Sequence, residues 1–273
     1  MKKTSRLLLT ALAMAAMTLS MASAEAKASY SPSNPVTIKV LADVVPHAEL
    51  LEFVKPKLAA QGINLEITVS DFSRDGNEAV DQGEYDANYF EHQPYLDSVK
   101  AEKGYDLANA GNIHVEPIGF YSKKWKSQKE LPKDATFEIP NDVTNEYRAL
   151  KILETAGYLK LKSGTKVGQA TLRDVDKYLK PVKIVEIDGG QLIRDLPDFD
   201  GGVINTNKVL EAGIDTSTAF FREGKDSPYA NIIVTKSSRV NDPAIQALVK
   251  ALRSEDVRKF INEKYKGAVI PAF

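Results

Sequence analysis

From residue 36 onward, apolar runs of strand length alternate with stretches whose apolar residues recur at helical spacing. Val36–Ala42 reads as a buried strand. Pro46 opens a helical stretch over 48–61, in which Leu50, Leu51, Val54 and Leu58 share one face and Gly62 follows as a stop. Residues 65–69 alternate with period two and predict a strand, 76–82 a short helix or loop, 85–89 a short strand and 91–103 a helix. A strand is predicted over 113–121 and another over 136–139, broken by Pro140-Asn141-Asp142. The helix over 144–156 has Gly157 as its stop. Thr171 is read as the cap of a helix running to 179. Strands follow at 183–187, 202–205 and 229–235, with helices at 191–196, 208–212, 243–252 and 255–264, the last capped by Ser254. Regular alternation of strands and helices predicts an α/β protein with largely parallel sheets.

The first residues follow a different pattern. Lys2, Lys3 and Arg6 precede an apolar run over 7–19, and Ala22-Ser23-Ala24 supplies a small-x-small cleavage pattern. We read 1–24 as a secretory signal peptide, since the run is shorter than the ~20 residues a membrane span needs. Residues 25–35 form a polar lead-in expected to be flexible. The sequence has no cysteine, so no disulfide, thiol nucleophile or lipid-attachment thiol is available. Net charge is −1, and loss of the three basic leader residues leaves 33 basic against 37 acidic side chains, about −4. That balance gives no electrostatic reason to expect nucleic acid or an anionic membrane as a partner.

Residues 88–95 read Asn-Tyr-Phe-Glu-His-Gln-Pro-Tyr. Three aromatic rings and an imidazole so close together must pack in a core or line a pocket. Asn145 and Arg148 share a face in the first turn of a helix, where free N–H groups and the dipole favour an anion and a guanidinium adds a carboxylate clamp. A solvated arginine is the alternative. Asn205 falls at the end of a buried strand, the sheet edge where α/β proteins bind ligands, although turn formation also explains it. Asn231 lies inside an apolar strand, as a ligand contact or a bridge between strands. The three histidines, His47, His92 and His114, reach metal-binding composition with Glu91 or Glu116, but their spacing matches no zinc motif. There is no Gly-x-Ser-x-Gly elbow, phosphate loop or dinucleotide fingerprint, so no enzyme and no cofactor is indicated.

Five stretches carry a resemblance together: 87–96, 113–122, 139–150 with Asn145 and Arg148, 227–231, and the ending 265–273. The chain from about 36 to 273 resembles the MetQ/NlpA family, the methionine-binding proteins of bacterial ABC importers. The resemblance implies a type 2-like periplasmic binding fold, with a ligand cleft between two α/β lobes joined by crossover strands. The first lobe is expected to hold 36–115 and 227–273, the second 116–226. The implied function is capture of L-methionine, and also D-methionine, for delivery to a membrane permease and its ATPase by a monomeric carrier.

The same resemblance assigns the site. Arg148 would clamp the ligand carboxylate with Asn145, and the amide oxygens of Asn205 and Asn231 would take the ammonium. Phe72, Phe90, Tyr95, His92 and His114 would surround the side chain. Several positions depart from the family pattern. A lipid-attachment cysteine is absent, which implies a freely diffusing periplasmic protein. Asp43-Val44-Val45-Pro46 replaces a Gly/Thr-Pro-Gly-like turn, Tyr147 a small residue, Thr206 a glycine and Phe72 a tyrosine. These changes bear on the side-chain pocket, and Asp43 is expected to reach toward the cleft. A different amino acid, a methionyl dipeptide or a metal ion are the alternative cargoes.

Overall fold

The computed structural model describes residues 30–70, 75–166, 168–224 and 227–273. The expected signal peptide lies outside them. The chain runs β1 (Val36–Ala42), a helical turn (Val44–Ala48), α1 (Glu49–Ala59), β2 (Ile63–Val69), α2 (Gly76–Asp81), β3 (Ala87–Tyr89), α3 (Gln93–Lys103) and β4 (Leu107–Val115). Next come β5 (Gly119–Tyr121), β6 (Ala135–Pro140), α4 (Val143–Thr155), β7 (Leu159–Leu161), β8 (Val175–Tyr178), β9 (Val182–Ile187), α5 (Leu192–Asp195), β10 (Gly201–Ile204), α6 (Thr206–Glu211) and β11 (Phe221–Arg222). It closes with β12 (Ala230–Lys236), α7 (Pro243–Leu252), α8 (Glu255–Tyr265) and β13 (Ile270–Pro271).

Two sheets result, ordered β13-β4-β12-β3-β1-β2 and β11-β5-β10-β6-β9, with β7 and β8 forming a separate ribbon. Each sheet anchors one lobe. The expectation of largely parallel sheets needs correction, because both are mixed. β1 runs parallel to β2 and β3, and β6 parallel to β9 and β10. β12 is antiparallel to β3 and β4, and β5 to β10 and β11. The reason is topological. β4 carries the chain out of the first lobe and β12 brings it back alongside, so the two must run in opposite directions.

The strand predicted over 113–121 is two strands in different sheets. β4 ends at Val115 and β5 starts at Gly119, and the intervening step contains Pro117, which has no N–H to offer a ladder. β4 also begins earlier than its hydrophobicity indicates, since Asn109, Gly111 and Asn112 pair with β12 despite their polarity. The helix predicted from Thr171 to 179 is absent. Thr171 does cap, but only a single turn (Leu172–Asp174), and the alternating Val175-Asp176-Lys177-Tyr178 then forms β8.

Apolar burial holds each lobe. On α7 the buried positions are Ala244, Ile245, Leu248, Val249, Ala251 and Leu252, a continuous face against α1 and the first sheet. Each fully buried Ile or Leu is worth about 1.5–3 kcal/mol. In the second lobe Phe137 lies edge-on to Phe120 and Tyr158, with centroids 4.8 and 5.1 Å away, over Ala149, Leu150 and Leu153 of α4. Of the lead-in expected to be flexible, Tyr30 packs on the first core and its hydroxyl donates to the Pro243 carbonyl at 3.3 Å. The Ser254 side chain makes no cap bond to α8.

Candidate functional site

A cavity of about 490 Å³ opens between the lobes. Its walls are the loops that follow β1, β3, β6, β9 and β10, the first turn of α4 and the start of β12. Ligand sites of α/β sheets form at the carboxyl ends of strands for this reason: strand ends bring several loops together. Phe90, His92, Tyr95, Asn145, Arg148, Asn205 and Asn231 all line it. Phe72 lies outside the described residues.

The start of α4 is built by Asp142. Its carboxylate accepts the Asn145 N–H at 3.0 Å and the Asn145 Nδ2 at 2.9 Å. The anion expected at this helix start is therefore the protein's own side chain. Arg148, one turn in, is 3% exposed. Its Nε and Nη2 donate to the two oxygens of Glu223 at 2.8 and 2.6 Å. Nη2 also donates to the Glu116 carbonyl at 3.0 Å, and Nη1 to Asn145 Oδ1 at 3.3 Å. The expected two-point clamp on a ligand is thus turned to Glu223. Among the described residues, one Nη1 hydrogen is left for the pocket. The ring of Tyr229 supports the guanidinium at 4.3 Å.

Asn145 Oδ1 is a hub. It also accepts from Asn205 Nδ2 and from His92 Nε2, both at 3.2 Å. His92 caps α3, its Nδ1 accepting the Tyr95 N–H, so the proton sits on Nε2. Burial, with Arg148 nearby, pushes the His92 pKa down to about 4 and keeps the ring neutral. Phe90 and Tyr95 meet edge-on at 6.2 Å. Gly76 makes room for Phe90, since a Cβ there would lie 2.7 Å from the Phe90 ring.

His114 does not line the cavity, which corrects its expected contact with a ligand side chain. It is fully buried beneath Glu116, with its ring edge-on to Tyr89 and His47. Burial holds its pKa down, to about 3, and keeps the Tyr89 phenol protonated. A directed chain follows. The Tyr89 hydroxyl donates to His114 Nδ1 at 2.5 Å, and His114 Nε2 donates to Glu116 Oε1 at 2.7 Å. Glu116 ends the chain on the cavity wall, with its own pKa raised by burial. Beside it His47 Nε2 donates to Asn231 Oδ1 at 3.0 Å, which uses part of the acceptor capacity expected for an ammonium. His47, His114 and Glu116 place one donor atom each within 4.8 Å, a geometry open to a metal ion. Within the set His114 Nε2 is already bonded to Glu116, while His47 Nε2 is bonded to Asn231 and His47 Nδ1 has no hydrogen-bond partner among the described residues.

Asp43 reaches across the cleft, as its position implied. Its Oδ2 accepts from Asn207 Nδ2 at 2.8 Å, with Lys208 Nζ at 3.4 Å, both on α6. Together with His92–Asn145, this bond ties the lobes on either side of the cavity. Asn207, Lys208 and Glu223 were not singled out in the sequence. Nothing local in the sequence distinguishes Glu223, and only the fold brings it to Arg148, 75 residues away.

The chain is similar to known proteins over most of its length. The family described as NlpA lipoprotein matches residues 38–273. The methionine-binding lipoprotein MetQ of Bacillus subtilis is 36% identical over 239 residues, covering 86% of this chain and 87% of that one. Among solved structures, a nutrient binding protein from Burkholderia cenocepacia bound to methionine shares 40% identity at a TM-score of 0.82, over 86% of this chain and 100% of that one. A periplasmic substrate-binding protein of an ABC transporter from Coxiella burnetii shares 36% identity at a TM-score of 0.81, again over 86% and 100%.

Proposed function

Because this chain belongs to the NlpA lipoprotein family, we propose that it is the substrate-binding protein of an ABC importer and captures methionine between its lobes. The observation that carries this reading is a buried guanidinium in a cleft of about 490 Å³ whose far wall is aromatic, in a fold shared with a methionine-bound relative. In this reading the ligand carboxylate takes the remaining Nη1 hydrogen of Arg148. The ammonium meets the amide oxygens of Asn205 and Asn231 and the carboxyl of Glu116. Phe90 and Tyr95 hold the polarisable thioether. Contacts come from both lobes, so methionine stabilises the closed form by bridging them, and the closed form docks on the permease served by its ATPase.

We further propose a monomeric carrier that returns its ligand chemically unchanged. It works without a lipid anchor, because the sequence has no thiol to acylate, although its relatives are named lipoproteins. Release with the osmotic-shock fluid is the expected behaviour, and retention in the membrane pellet would contradict it.

Native mass spectrometry of the exported protein, followed by denaturation, tests the cargo. Methionine released in near-stoichiometric amount is expected. A different amino acid, a methionyl dipeptide or a metal ion would replace methionine in this reading, and a chemically altered product would make the protein an enzyme. Closure gives a second test. Asp43→Ala removes a buried, charge-assisted bond between lobes, worth about 1.5–3 kcal/mol. Calorimetric titration should then show methionine binding about tenfold weaker or more. Unchanged affinity would mean that closure does not draw on Asp43.

A further inference from the structure

We infer that Glu223 is a specificity-determining residue, which neutralises Arg148 and so makes the pocket select zwitterions over simple anions. This inference rests on the carrier reading above and deepens it. The pair is nearly dry, with side-chain exposures of 3% for Arg148 and 11% for Glu223. Two parallel N–H···O bonds, the geometry that best matches a guanidinium, go to Glu223 and not to the cavity. The carboxylate is itself held in place. It accepts the Ile118 N–H and the Ser227 hydroxyl, both at 3.2 Å, from the outgoing and returning crossovers. Its position is therefore fixed by the fold and does not depend on a ligand.

The consequence is electrostatic. A buried guanidinium without a counter-ion attracts any small carboxylate strongly, because an unpaired charge is costly away from water. With Glu223 in place the fork is already compensated, and a ligand carboxylate gains little beyond one Nη1 hydrogen bond. It also approaches a cavity whose lining carries the carboxyl groups of Asp43, Asp75, Glu91, Glu116, Asp142 and Asp188 against one further cation, Lys208. A ligand that brings its own ammonium adds no net charge, and the ammonium meets those groups directly. A ligand with a carboxylate alone adds an uncompensated negative charge. Glu223 therefore links carboxylate recognition to the presence of the ammonium.

The test titrates wild type, Glu223→Gln and Glu223→Asp with three probes that share one side chain. These are methionine, 4-(methylthio)butanoate, which lacks the ammonium, and methioninamide, which lacks the carboxylate charge. In Glu223→Gln the preference for methionine over the anion should fall at least about tenfold, and methioninamide should lose at least about tenfold relative to methionine. Glu223→Asp keeps the charge and should hold both ratios within about threefold. A purely structural role would weaken all three probes in parallel, and unchanged ratios in Glu223→Gln overturn the inference. If Glu223→Gln fails to fold, Glu223→Ala is titrated with and without acetate. Added acetate should restore the zwitterion preference by refilling the vacated place, and a ratio that ignores acetate overturns the inference equally. A wild-type protein that binds none of the probes removes the carrier reading and this inference with it. One that binds methionine but shows unaltered ratios in the variants removes only the inference.

Discussion

Arg148→Ala should reduce methionine affinity by at least about tenfold, because the ligand carboxylate loses a charge-assisted hydrogen bond worth about 1.5–3 kcal/mol and meets the uncompensated Glu223. Two effects act together. The ligand carboxylate loses its guanidinium hydrogen, and Glu223 is left as a nearly buried carboxylate with no cation beside it. The repulsion between Glu223 and the incoming carboxylate makes the loss larger than that of a single hydrogen bond. The same unpaired, nearly buried charge should lower the melting temperature of the free protein. Calorimetry of methionine binding checks the first effect and a thermal melt the second. An Arg148→Ala protein that melts as wild type does and still binds within about threefold would remove Arg148 from the site.

Protonated carboxyl groups in the second lobe lose their stabilising effect as the pH rises from about 4.5 to about 8. Net stability should fall above about 6.5, where the buried neutral histidines no longer offset them. Glu138 is fully buried on β6, and neither of its oxygens has a hydrogen-bond partner among the described residues. Burial pushes its pKa up to about 8 from an ordinary 4.5, and Asp195 and Asp198 nearby add to the rise. Glu146 rises to about 8 as well, through burial and a hydrogen bond with Glu186. Within that window the unfolded chain has lost these protons and the folded chain retains them, so their contribution to stability falls with increasing pH. Below pH 4.5 the contribution is intact. Above pH 8 its loss is complete. At about 1.4 kcal/mol per pH unit the Glu138 contribution is a few kcal/mol, enough to move the melting temperature of a chain of this size by several degrees or more. Glu138→Gln cannot titrate, so its melting temperature should exceed that of wild type at pH 8.5 by several degrees, with the advantage gone at pH 5. An equal offset at both pH values would show that Glu138 is ionised in the folded protein. Gly202 belongs to the same arrangement, since a Cβ there would meet the Glu138 side chain at 2.4 Å.

What the amino-acid sequence determined is the content that depends on neighbours along the chain. The apolar periodicities placed α1, α4, α7 and α8 and the central strands to within a few residues. Pro140-Asn141-Asp142 marked the turn that starts α4, and the aromatic run 88–95 marked a wall of the cavity. Local signals failed where long-range pairing decided the outcome. Polar β4 is a strand because β12 lies beside it, and 113–121 divides because its halves belong to different sheets. The site divides along the same line. The residue types were legible, but their partners were not. Arg148 read as a clamp for a ligand, and only the fold brings Glu223 to the edge that a ligand was expected to take. His114 read as a pocket residue, and only the packing of Tyr89, His47 and Glu116 places it beneath the surface. A side chain's chemistry is carried by its own atoms, whereas its charge, its proton and its free hydrogen bonds are set by groups far away in the chain. Those quantities decide what a binding site selects, and they exist only once the lobes have folded and met.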